Sequence, residues 1–202
     1  MNMIILYMIS SYLLGSISGS LILGKIWKVD IRNLGSGNAG GTNALRSVGV
    51  VFGLLTFFID LSKGMIPVYL AHGDITLMLL SGFSAMLGHV YPIFYNFKGG
   101  KGAGTLLGVL IIALPYSALC ITITWMISVV LSGYVGLSTI IAVFALAIYA
   151  IIYTSYHFII FSICSLIFII YTHRSNIQRM REGNENQFEK VMLFKRNKKG
   201  SI

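Results

Sequence analysis

The sequence predicts an all-α integral membrane protein of about seven transmembrane helices, some of them short, with the N-terminus outside and the C-terminus cytoplasmic. Three observations lead there. Of 202 residues, 56% are apolar and 10% charged, whereas an ordinary soluble domain carries about 25% charged residues. From Gly102 to Thr172 there is no Asp, Glu, Lys or Arg, and a water-soluble core of this size cannot bury so long an apolar run. Fifteen Lys and Arg face six Asp and Glu, and they gather between the apolar runs, where positive charge sets orientation.

Taken in order, Met3 to Leu23 forms the first span. No basic residue precedes Lys25, so this stretch lacks the positive leader of a cleaved signal and is expected to be retained. Lys25, Lys28, Arg32 and Arg46 follow it and place the segment at about 25–47 in the cytoplasm. Spans at Val48 to Leu70 and Ile75 to Pro92 are joined by Ala71-His72-Gly73-Asp74, which has no Lys or Arg and suits the outside. A second cytoplasmic loop at about 93–103 carries Lys98 and Lys101.

Beyond Gly102 parity decides the count. The tail at 173–202 holds eight Lys and Arg and belongs inside, so the crossings between must be even in number. Two helices of about 35 residues each exceed what a bilayer needs, and four of about 15 to 18 fit better. Turn-like breaks at Leu114–Ser117, Ser132–Gly136 and Tyr153–His157 divide the region into four and put a short cytoplasmic turn at about 132–137. The sum is seven spans in one domain covering 1–202, with six and eight as the alternatives if a segment is re-entrant.

Three polar segments then fall on one face. The first contains Gly35, Ser36, Gly37, Asn38, Thr42, Asn43 and Arg46. Gly and Asn allow successive backbone N–H groups to line a concavity for an anion, and Arg adds a forked phosphate donor. In the second, Lys98-Gly99-Gly100-Lys101-Gly102 precedes an apolar helix that starts near Thr105. There two ammonium groups, glycine N–H groups and a helix N-terminus can converge on a phosphate. It is not a Walker A loop. In the third, His173, Asn176 and Arg179 share a face if the last span continues as a helix. For each segment the bland alternative is topological, a glycine linker or a basic helix end lying on anionic membrane lipid.

Within the spans, Asp60 and Lys63 are spaced to neutralise one another, and His89 near a span end is either a proton acceptor or a hydrogen-bonded helix-end histidine. Cys120 and Cys164 are isolated in apolar sequence and predict neither a disulfide nor a metal site. Carboxylates are scarce on the cytoplasmic face, so no metal and no other cofactor is expected, and nothing supports nucleic-acid binding.

GSGNAGGTNALR, GHVYPIFYNFKGGKGAGT and HRSNIQRMREGNE together resemble the three cytoplasmic motifs of the bacterial acyl-phosphate:glycerol-3-phosphate acyltransferases, the PlsY family. Asp30-Ile31-Arg32 and Asp60-Leu61-Ser62-Lys63-Gly64 belong to the resemblance, which spans nearly the whole chain in order. It implies a seven-span enzyme of the bacterial inner membrane, active on its cytoplasmic face. The reaction implied is acyl transfer from acyl phosphate to glycerol 3-phosphate, giving lysophosphatidic acid. On this reading Ser36, Asn43, Arg46, Lys101, His173 and Asn176 hold the two phosphates, with the Gly35–Gly37 and Gly99–Gly100 backbones as donors. Asn38, Thr42, Lys98, Gly102, Thr105, Ser138 and Arg179 complete the substrate site, and the proton passes to the acyl phosphate, to His89 or to His173.

The sequence departs from the family at Gly41, where Ala is usual, at Ala103-Gly104, where Val-Ala is usual, and at Gln187, where Lys is usual. The family's Ser-Leu-x-Ser run is Gly136-Leu137-Ser138-Thr139 here. A divergent paralogue with altered specificity or no activity is one alternative. A small anion or phosphate transporter is another, although only Asp60 and Lys63 lie at the depth its pathway needs.

Overall fold

A computed structural model of the chain describes residues 3–188 and residue 192. The basic residues Lys190, Lys195, Arg196, Lys198 and Lys199 of the expected tail lie outside the described residues. Among the described residues the regular structure is entirely helical. Helices α1 (Met3–Gly15) and α2 (Gly19–Trp27) are followed by the short α3 (Gly41–Ser47), then α4 (Val50–Leu70) and α5 (Ile75–Val90). After the second loop come α6 (Ala103–Ala113), α7 (Pro115–Ser132), α8 (Val135–Tyr153), α9 (Tyr156–Thr172) and α10 (Arg174–Arg181).

Helices are the outcome because an apolar medium leaves backbone N–H and C=O groups no partners but each other. Hydroxyls within the spans fold back in the same way. Thr122 donates to the Ala118 carbonyl at 2.7 Å and Thr139 to the Val135 carbonyl at 2.9 Å. Large apolar side chains such as Phe58, Ile123, Phe144, Ile152 and Ile167 are exposed on the outer faces. Val68, Met86, Val109, Leu110, Leu146 and Ile169 fill the centre. Such an outward apolar surface suits lipid rather than water.

The three expected breaks are present. Pro115 opens α7 after a non-helical Leu114, Gly133 ends α7 at φ +73°, and Thr154-Ser155 separates α8 from α9. One feature differs from expectation. The first span is broken at Ser16–Ser18 and runs on to Trp27, which leaves the Ile17 carbonyl outside both helices. Among the described residues five stretches are long and apolar enough to cross a membrane, and α9 with α10, bent by 52°, makes up to six. The 11-residue α6 reaches only about 16 Å, roughly half the hydrocarbon thickness.

Helix α6 is drawn against α4 by two glycines. A methyl group at Gly64 would fall on the Thr105 carbonyl, and one at Gly108 on the Leu61 carbonyl. This close backbone contact is the small-residue packing of helices in lipid. It carries the N-terminus of α6, and Lys101 just before it, to the same end of the bundle as the first loop, the α7–α8 turn and α10.

Candidate functional site

The first loop is built around Asn43. Its amide nitrogen donates to the carbonyls of Ile31, Leu34 and Asn38, at 3.3, 2.9 and 3.0 Å, and its oxygen accepts from the Ser36 N–H at 3.0 Å. Asn43 is therefore committed to the shape of the loop. Gly35 sits at φ +56° against that side chain, where a Cβ would meet Asn43 Oδ1 and Ser47 Oγ. Ile31, Ala39, Ala44 and Phe52 bury the underside of the loop, and Ser36, Asn38, Thr42 and Arg46 remain at its open edge.

The second loop is anchored differently from expectation. The Gly99 and Gly100 N–H groups donate to the Val90 and His89 carbonyls at 3.2 and 3.1 Å, so they tie the loop to α5 rather than standing free for an anion. The free donors lie one step further on. Gly102, Ala103 and Gly104 line the cavity at the start of α6, where first-turn N–H groups have no partner within their own helix. Thr172 donates to the Lys101 carbonyl at 3.0 Å, and the Lys101 ammonium reaches Asn176 Oδ1 and, at 3.4 Å, Ser175 Oγ.

In the third segment the chain bends at His173, yet His173 and Asn176 still face the same cavity. His173 Nδ1 lies 2.8 Å from the Ile169 carbonyl, so Nδ1 carries the proton and Nε2 keeps its lone pair. Burial, reinforced by the Lys101 charge, lowers the His173 pKa to about 4. Asn176 donates to Glu185 Oε1 at 2.6 Å, and Arg179 donates to Glu185 Oε2 at 2.6 Å. Glu185 thereby brings one carboxylate into a cationic site. Burial and neighbouring cations, Arg179 foremost, lower the Lys101 pKa to about 8, and burial also lowers that of Arg46.

These segments enclose a cavity of about 460 Å³. Its upper part carries Ser36, Asn38, Thr42, Arg46, Lys101, His173 and Asn176; its lower part, between α6, α7 and α8, is lined by Leu106, Leu107, Ile121, Trp125, Met126 and Val143. A second cavity of about 260 Å³ shares Ser36, Asn38 and Lys101 and adds Gly37, Lys98, Gly99, Gly100, Arg174 and Ser175. The two meet at one serine, one asparagine and one lysine.

Some expected site residues lie elsewhere. Thr105 and Ser138 are fully buried and line neither cavity, Ser138 donating to the Tyr134 carbonyl within its own helix. Thr139, which keeps the hydroxyl of the family's Ser-Leu-x-Ser run, lines the large cavity instead. Arg179 is engaged by Glu185. Sequence reading also passed over Glu185, Arg174, Ser175 and the apolar wall at Trp125. Glu185 closes the third motif as an acid in a basic tail, a signal that was present. The wall had none, because one apolar helix face looks like another. Among the described residues no three of His, Cys, Asp and Glu gather at one point.

Residues 5–183 match the family described as glycerol-3-phosphate acyltransferase. The chain belongs to that family. The glycerol-3-phosphate acyltransferase of Finegoldia magna is 43% identical over 185 residues, covering 89% of this chain and 93% of the relative. That of Thermosipho melanesiensis is 40% identical over 184 residues, covering 91% and 92%. The crystal structure of PlsY (YgiH), an integral membrane glycerol 3-phosphate acyltransferase, in its glycerol 3-phosphate form superposes with a TM-score of 0.89. It is 36% identical and covers 93% of this chain and 96% of that one. The lysophosphatidic acid form gives 0.87 at 35% identity. The present acyltransferase is thus a multi-pass membrane enzyme, and its helical bundle is that of PlsY.

Proposed function

We propose that this acyltransferase moves a fatty acyl group from acyl phosphate to glycerol 3-phosphate, releasing lysophosphatidic acid and phosphate for phospholipid synthesis. One observation carries the reading: the large cavity is cationic at its mouth and apolar at depth, and it shares Ser36, Asn38 and Lys101 with a second cationic cavity. An acyl phosphate has the same polarity, a dianion joined to an alkyl chain, and fits the large cavity with its tail along α6, α7 and α8. Glycerol 3-phosphate, small and polar, fits the second, beside Lys98, Arg174 and Ser175.

Arg46, Lys101, Asn176 and the N-terminus of α6 then hold the acyl phosphate, and Ser36, Asn38 and Lys101 stand between the donors' phosphate and the incoming hydroxyl. The donor is already a mixed anhydride. Attack of the hydroxyl oxygen on the acyl carbon forms the ester bond, the carbon–oxygen bond to phosphate breaks, and the cations disperse the charge that develops on the leaving oxygen. The hydroxyl proton goes to the departing phosphate, with the His173 Nε2 lone pair as the other acceptor in the cavity.

In the membrane, α6 with its flanking residues makes the seventh crossing, shortened by local thinning of the bilayer. This parity puts both cavities on the cytoplasmic face of the bacterial cell membrane, N-terminus outside, in a single domain. Purified protein should form lysophosphatidate from glycerol 3-phosphate with acyl phosphate and not with acyl-CoA or acylated carrier protein. Arg46→Ala should lower kcat/KM by about 10²- to 10³-fold. Equal use of the other donors, or near-normal turnover by the variant, would sink the assignment.

A further inference from the structure

Three buried side chains, Asp60, Lys63 and His89, lie beneath the second loop, and Asp60 and His89 also line the large cavity. Lys63 and Asp60, one turn apart on α4, form an ion pair at 2.9 Å with both side chains buried. The Lys63 ammonium also donates at 3.0 Å to the Ile17 carbonyl, the group left outside both helices by the break between α1 and α2. His89 on α5 is 3% exposed and turns Nδ1 toward Asp60 at 3.5 Å. The other edge of the ring is stacked under the loop: a Cβ built on Gly100 would land on His89 Nε2 and its neighbouring carbons. The backbone of the same histidine accepts the Gly100 N–H.

A continuous line thus runs from the broken first span through Lys63, Asp60 and the His89 ring to the glycine that precedes Lys101. Lys101 is the cation shared by both cavities. We propose that Lys63, Asp60 and His89 are positioning residues: a buried strut that sets the height of the Gly99–Gly100 turn, and through it the place of the Lys101 ammonium between the two phosphates. The inference rests on the reading of Lys101 given above. The geometry sets one ring edge of His89 toward the Asp60 carboxylate and the other under Gly100, at the wall of the large cavity. It also gives the buried ion pair a reason to persist, since such a pair contributes little net stability but breaking it by removing one partner is costly.

The test exploits the fit between His89 and Gly100. Asparagine places its amide where Nδ1 stands and vacates the space of Nε2. His89→Asn is expected to raise KM for glycerol 3-phosphate about tenfold with kcat changed less than about twofold, and to leave the shape of the pH–rate profile unaltered. Gly100→Ala should lose most activity, because its methyl group and the imidazole cannot coexist. The double variant H89N/G100A should then recover at least about tenfold over G100A. Asp60→Asn and Lys63→Met should each lower the yield of folded protein or raise the same KM, and D60N/K63M should do better than either alone.

Three results overturn the proposal. One is a fall in kcat of about 10²-fold or more for H89N with loss of the acidic limb of the profile, which would make His89 an acid–base group. Another is additive behaviour of H89N and G100A. The last is a D60N/K63M variant as poor as the worse single one. If G100A yields no folded protein, the KM, kcat and pH profile of H89N decide alone. Failure of the underlying reading is distinguishable, because the unsubstituted enzyme would then form no lysophosphatidate from acyl phosphate.

Discussion

The chemistry of the site turns on single charges held near their limits. Lys101 is half-buried among Arg46, Arg174 and Arg179, with Glu185 as the counterweight, and its pKa is lowered to about 8. A lysine so placed is charged below pH 8 and neutral above it. Without substrate, the cation shared by the two cavities is therefore lost as pH rises through 8. KM for glycerol 3-phosphate, measured from about pH 6.5 to about pH 9.5, should climb on the alkaline side, and Lys101→Arg should flatten that climb because a guanidinium stays charged throughout. An unchanged alkaline limb in the arginine variant would exclude Lys101 as its source. Residues of this kind were legible in the sequence, since a Lys or Arg beside glycines can be read without a structure. The sequence offers Asn43 as a phosphate ligand; that its amide donates to Ile31, Leu34 and Asn38 and accepts from Ser36 and Ser47 depends on how the loop closes. The sequence offers Gly99 and Gly100 as phosphate donors, whereas α5 takes their N–H groups.

At the scale of the element, helix ends were readable and helix faces were not. Pro115, Gly133 and Thr154-Ser155 mark their breaks through backbone chemistry that is local to the residue. Which side of α7 or α8 lines the cavity is settled by neighbours distant in sequence, and there Thr139 rather than Ser138 faces inward. The same packing separates three small residues at the cavity. A methyl group on Gly104 meets Asp60 Cβ at 3.6 Å and Phe57 Cδ2 at 3.9 Å, ordinary contact distances, and one on Gly41 meets nothing nearer than 3.4 Å. On Gly136 it meets the Asn176 amide at 2.8 Å. Gly104→Ala should keep kcat within about twofold, while Gly136→Ala should push Asn176 off Lys101 and cut kcat/KM by about tenfold or more. Equal behaviour of the two variants would show that the Asn176 position is not what Gly136 protects.

For the whole molecule, orientation is the testable quantity. His72 and Gly73 are exposed at one end of the bundle, and Lys28 and Arg181 at the other, the end of the cavities. In a background with Cys120 and Cys164 replaced by serine, a cysteine at Gly73 should react with a membrane-impermeant maleimide in intact cells. One at Lys28 or Arg181 should react only after permeabilisation, and the reverse pattern would turn the enzyme over in the membrane. The sequence by itself determined the solvent, the helical class, most of the helix ends, the three polar segments and the family they resemble. Each depends on composition or on neighbours a few residues apart. The tertiary structure decided how these parts meet. It broke the first span and gave its loose carbonyl to Lys63, shortened α6 against α4, turned Glu185 into the cationic site and joined two cavities at Ser36, Asn38 and Lys101. The reason is physical: in an apolar medium hydrophobicity distinguishes the inside of the bundle from the outside only weakly. Which faces touch is then left to close packing and to the few polar groups that must find one another.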